Sequence, residues 1–64
     1  MNIGQRIRQK REELNMTQED LAKKTGYKSR SSINKIESDG RGLPQSKIKI
    51  FAEALNTTPS YLIG

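Results

Sequence analysis

Residues 17–37 read TQEDLAKKTGYKSRSSINKIE, two short helical segments with a glycine between them. Thr17 has the chemistry of an N-cap, and Asp20 stands at the third helical position to return the bond to the Thr17 main chain. Met16 and Leu21 have the spacing of a hydrophobic staple across that start, and Leu21 and Ala22 face inward. The segment is predicted to run from Gln18 to Thr25, with Gly26 as the left-handed residue that stops it. The second segment is predicted to start after Ser29, a good N-cap. Its two apolar anchors, Ile33 and Ile36, lie three residues apart. Around them stand Lys28, Ser29, Arg30, Ser31, Ser32, Asn34 and Lys35, and no acid follows until Glu37. A small domain has given one of its few helices a polar, cationic face.

On either side the helical reading continues. Asn2 is predicted to cap a first helix from Ile3 to Leu14, with Gln5 as its capping-box partner. At about 100° per residue, Ile3, Ile7 and Leu14 fall within about 40° of one another and form an inward stripe. Lys10 falls on the same stripe, so its methylenes are expected to pack while its ammonium reaches outward. Leu43 and Pro44 open a fourth helix, from Gln45 to Leu55. There Ile48, Phe51, Ala52 and Leu55 follow the i, i+3, i+4, i+7 pattern, and Asn56 ends the run. Thr58 and Pro59 start a last turn carrying Tyr61, Leu62 and Ile63. Valine is absent and no alternating β-branched run occurs, so strand signals are missing. The expectation is an all-α protein forming one domain over residues 1–64.

Composition narrows the function. The chain has no cysteine and no histidine, which removes disulfides, Cys-based metal sites, Cys or His catalysis and a histidine pH switch. No metal or cofactor site is expected, and an enzyme is not, because no convergent acid pair remains to do acid–base chemistry. No apolar run reaches the roughly 20 residues of a membrane span, so no membrane partner is expected and a cytoplasmic setting fits. The net charge of +5 is laid out in blocks. Residues 1–11 carry +4, residues 12–22 carry −4, residues 23–41 carry +4 and residues 42–64 carry +1. Such blocks suit a footprint for a polyanion.

The two segments and their glycine turn outline a helix-turn-helix over about residues 17–37. The major groove of DNA, about 12 Å wide, accepts one helix whose outer side chains meet base edges. Such a helix needs few anchors inside and short polar or cationic residues outside. The stretches IGQRIRQKREELNMTQEDLAKKTG, SSINKIESDG and LPQSKIKIFAEALNTTPSYLIG resemble the phage lambda-repressor-like (Xre/Cro-type) DNA-binding domains. They are most similar in style to the N-terminal domain of phage repressors of Gram-positive bacteria. The resemblance covers essentially the whole chain. It implies a compact five-helix domain in which helix 3 is the recognition helix, over about residues 30–37.

Carried over by position, the resemblance implies base-reading roles for Arg30, Ser31 and Lys35, with Asn34 beside them. It implies phosphate contacts from Gln18 at the start of helix 2, from Lys28, Ser29 and Ser32, and from Ser38 and Arg41 beyond the reading face. Arg11 and Glu37 match a structural, largely buried ion pair. Gly26 and Ile33 are separated by one residue more than in the family pattern. If the extra residue lengthens the turn, Arg30 leads the helix. If it extends the helix backward, Lys28 or Ser29 leads. The capping chemistry of Ser29 favours the longer turn.

The function implied is a sequence-specific, double-stranded DNA-binding transcriptional regulator, the operator-binding domain of a phage-type repressor. It is expected to bind an inverted-repeat operator as a homodimer. The chain ends at Gly64 on apolar residues with no polar tail, a pattern expected of a domain followed by a further C-terminal one. The alternative is an antitoxin-like or adaptor module that uses the fold for protein contacts through an apolar patch at Tyr61–Ile63. The bland reading of Arg6, Arg8 and Lys10 is a solvated face, and Tyr27 is a packing residue or a phosphate contact.

Overall fold

Capping chemistry and apolar spacing divide the chain into five helices. The computed structural model describes residues 2–40 and 43–64. They are α1 (Ile3–Glu13), α2 (Gln18–Thr25), α3 (Arg30–Asp39), α4 (Gln45–Ala54) and α5 (Pro59–Ile63). Among the described residues no strand occurs, and no helix is long and apolar enough to cross a membrane.

The helix starts follow side-chain chemistry. Asn2 Oδ1 accepts from the Gln5 N–H at 2.9 Å, and Gln5 returns the bond to the Asn2 N–H. Thr17 and Asp20 make the same reciprocal pair at 3.0 Å in each direction. Thr58 Oγ1 accepts from the Tyr61 N–H at the start of α5. Ser29 precedes α3 with extended backbone, but its side chain makes no capping bond. Gly26 stops α2 at φ 84°, and Asn15 and Asn56 end α1 and α4 at φ 56° each. Asparagine tolerates that left-handed region better than most residues.

The principal packing pairs are α1 with α3, α3 with α2, α2 with α4, α4 with α5, and α5 with α1. They close a ring around one core, within extents of 26 × 22 × 19 Å. Ile7, Leu21, Ile33, Phe51 and Leu62 are completely buried there, with Ala22, Ile36, Ala52 and Leu55 beside them. Each large member contributes about 1.5–3 kcal/mol on leaving water. The core therefore draws on every helix, and α3 gives it both isoleucines and nothing else apolar.

Two stripe positions differ from the periodic reading. Leu14 is 40% exposed, because α1 ends at Glu13 and Leu14 is its C-cap. The helical phase that would have turned it inward has already stopped. Ile48 is half-buried at the rim, while Phe51, Ala52 and Leu55 fill the core.

Gly4 sets how closely α1 approaches α3. A Cβ built there would collide with the Ile36 and Glu37 carbonyl oxygens, so only glycine lets α1 lie against the α3 backbone. A glycine inside a helical pattern is the sequence signal for such an approach.

Candidate nucleic-acid interface

The interface is built on α3 and on what holds it. The helix begins at Arg30, so the extra residue after Gly26 lengthens the turn and Arg30 leads. Tyr27, in that turn, packs edge-on against Phe51 with ring centroids 6.0 Å apart. Lys47 of α4 lies 4.9 Å over the Tyr27 ring and donates to the Thr25 carbonyl. The turn is thus clamped to α4, through the buried Phe51 and the half-buried Lys47.

The inner face of α3 carries Ile33, Ile36 and Glu37, all buried. Glu37 and Arg11 form a two-pronged ion pair, Nε to Oε2 at 2.7 Å and Nη2 to Oε1 at 3.2 Å. Their side chains are only 4% and 11% exposed. Arg11 Nη1 also donates to the Met16 carbonyl at 2.7 Å, so the guanidinium ties α1 to the start of α2 and to α3. The bond to Glu37 holds the Arg11 pKa above its ordinary value despite burial. Taking either partner away would leave an uncompensated buried charge.

Gln18 turns inward from the first position of α2. Its Nε2 donates to Glu37 Oε1 at 3.1 Å and to Asn34 Oδ1 at 3.4 Å. The Gln18 side chain, expected to contact phosphate, engages α3 through that nitrogen. The capping box occupies the N–H groups of Thr17 and Asp20, whereas those of Gln18 and Glu19 have no partner among the described residues.

The outer face of α3 is polar and open. Arg30, Ser31, Asn34, Lys35 and Ser38 are exposed, and Ser32 is half-buried. At about 100° per residue, Ser31, Asn34, Lys35 and Ser38 fall within about 100° of one another, opposite the two isoleucines. Ser38 donates its hydroxyl proton to the Asn34 carbonyl at 2.8 Å, leaving its lone pairs outward. Arg30 stands at the helix start, where it lines a groove with Gln18 and Glu19. Lys28 and Ser29 are exposed in the turn just before it. Arg41 lies outside the described residues. Among the described residues Lys28, Arg30 and Lys35 have no acidic partner.

At the far end of the chain, Tyr61 packs against α1 and Leu62 is completely buried. The apolar stretch expected for protein contacts is reduced to Ile63, 65% exposed.

A helix anchored by two isoleucines, turned at a glycine against a second helix, with an open polar and cationic outer face, defines a helix-turn-helix protein. The family model described as helix-turn-helix matches residues 7–62, and the chain belongs to that family, of the lambda-repressor-like (Xre) kind. It is a DNA-binding helix-turn-helix regulator. Neither the curated proteins nor the solved structures contain a significant match to the chain.

Proposed function

We propose that this chain is a sequence-specific transcriptional regulator that places α3 in the major groove of double-stranded DNA. Residues 1–64 act as one DNA-binding domain, with the motif over about residues 17–37. The observation that carries the reading is the division of α3. Of its two acids, Glu37 is buried on Arg11 and Asp39 is the last residue of the helix, while Lys28, Arg30 and Lys35 face solvent with no ion pair among the described residues. Burying Glu37 removes a charge that would repel phosphate and frees the outer face for a polyanion.

Arg30, Ser31, Asn34 and Lys35 are the base readers in this proposal. The Arg30 guanidinium suits guanine O6 and N7, a fork worth about 1–3 kcal/mol of discrimination. Lys35 offers a point charge to the same edge, and Ser31 a small donor and acceptor. Lys28, Ser29, Ser32, Ser38 and Arg41 serve phosphates, and Gln18 does so through its main-chain N–H at the start of α2. The protein acts in the cytoplasm as the operator-binding domain of a phage-type repressor. Two copies bind an inverted repeat with half-sites about 34–36 Å apart.

In vitro selection on random duplexes tests this directly. The expected result is an enriched inverted repeat, bound with an affinity that falls steeply as salt rises, because each neutralised phosphate releases counterions. A pool that never converges, or binding indifferent to salt, would contradict the reading.

A further inference from the structure

The four side chains Arg11, Glu37, Gln18 and Asn34 form one hydrogen-bonded chain from the core to the outer face of α3. An amide side chain has no end of its own to prefer; its partners decide which end goes where. Arg11 can only donate, so Glu37 accepts, at 2.7 and 3.2 Å. The Glu37 carboxylate can only accept, so Gln18 must turn its nitrogen toward Oε1, at 3.1 Å. The second proton of that nitrogen then faces Asn34, at 3.4 Å, and only the Asn34 oxygen can receive it. Turning either amide over would set oxygen against carboxylate or nitrogen against nitrogen. The polarity of the exposed amide is therefore fixed by the buried arginine. Asn34 is exposed, its oxygen is turned toward Gln18, and its Nδ2 makes no hydrogen bond among the described residues.

From this we propose that Gln18 is a positioning residue that locks Asn34 as a donor, making Asn34 a reader of guanine rather than adenine. The inference rests on the proposed placement of α3 in the major groove. A freely rotating asparagine favours adenine, accepting from N6 while donating to N7. With its oxygen turned toward Gln18, Asn34 leads with its N–H groups. Guanine offers two acceptors on that edge, O6 and N7, whereas adenine offers N7 alone and sets its N6 amino group against the second N–H.

The test compares the wild-type chain with Asn34→Ala and Gln18→Ala on duplexes varied one base pair at a time within the selected site. Circular dichroism checks that each variant is folded. One position is expected to lose its base preference in Asn34→Ala. There the wild type prefers guanine over adenine by about fivefold or more. Gln18→Ala frees the Asn34 amide, and at that position alone the ratio shifts toward adenine. Losing a mere phosphate brace or some stability would weaken all sequences alike and leave this ratio unchanged. A second measurement needs only the wild type: 7-deazaguanine at that position removes N7 and weakens binding by about twofold or more.

Adenine preferred by the wild type at the Asn34-dependent position overturns the proposal. So does a Gln18→Ala variant with an unchanged guanine-to-adenine ratio, or an Asn34→Ala variant that affects every sequence equally. Each of these leaves the DNA-binding reading intact. Absence of any sequence preference in the wild type overturns both.

Discussion

The two basic blocks of the chain carry the same net charge, +4 over residues 1–11 and +4 over residues 23–41, and the fold treats them oppositely. In the first block every cation has a partner. Arg6 donates to the Tyr61 carbonyl at 3.1 Å and lies 5.3 Å over its ring. Arg8 pairs with Glu12 and Lys10 with Glu13. Lys10 also sits 4.8 Å from the Tyr61 ring centroid, and Arg11 is buried on Glu37. In the second block Lys23 pairs with Glu19, while Lys28, Arg30 and Lys35 form no ion pair among the described residues. Net charge is thus a poor guide to where a polyanion would bind. The useful quantity is charge left uncompensated on one face, and α3 with the turn before it carries three such cations, Lys28, Arg30 and Lys35.

The comparison can be broken most violently at Glu37. Glu37→Ala is expected to cost about 3–5 kcal/mol, because Arg11 would remain buried without its partner. A 64-residue domain has little stability to lose, so urea titration should find the variant largely unfolded. The double variant Arg11→Met, Glu37→Leu should recover much of the loss, since apolar residues of similar size are tolerated at such sites. Equal damage from the single and the double variant would show that the pair does more than neutralise itself.

A smaller effect separates the blocks directly. Arg6→Ala removes a bond to a carbonyl and a ring contact, and should lower stability by about 1 kcal/mol with little change in DNA affinity. Arg30→Ala should do the reverse, with stability within about 0.5 kcal/mol of wild type and DNA binding impaired. Thermal melts paired with gel shifts read both at once.

The smallest effect lies in the acidic block between them. The bond from the Thr17 N–H, with the Thr17 hydroxyl beside it, holds the Asp20 pKa below its ordinary value of 3.8. A group with a depressed folded pKa stabilises fully above its unfolded value and loses that contribution as pH falls through the folded one. Wild type should therefore lose a little stability as pH drops below 3.8. Asp20→Asn should lack that portion of the acid response, as urea midpoints at low and neutral pH would record.

Much of this arrangement is legible in the sequence, and what is not has physical causes. The caps at Asn2, Thr17 and Thr58 and the stop at Gly26 are local chemistry, so spacing alone locates them. The isoleucine pair of α3 is legible for the same reason. Leu14 misleads because periodicity does not know where α1 stops. Ser29 sits in cap position without making the capping bond, so its residue type marks the boundary but not the interaction. The roles of Gly4, Gln18 and Tyr61 depend on which helix lies opposite, and that is decided by packing. Gln18 is the sharpest case. At the first position of α2 it suits an outside anion, but the Glu37 carboxylate lies within 3.1 Å and draws its nitrogen inward.

The central claim is that the uncompensated face of α3 reads bases. Equilibrium binding of Arg30→Ala and Lys35→Ala to the selected site and to a scrambled duplex, at one salt concentration, tests it most directly. Each variant should lose about 1–3 kcal/mol on the selected site and much less on the scrambled one, while Arg8→Ala leaves their ratio unchanged. Equal losses on both duplexes would mean that these residues serve only phosphate, and would contradict the account.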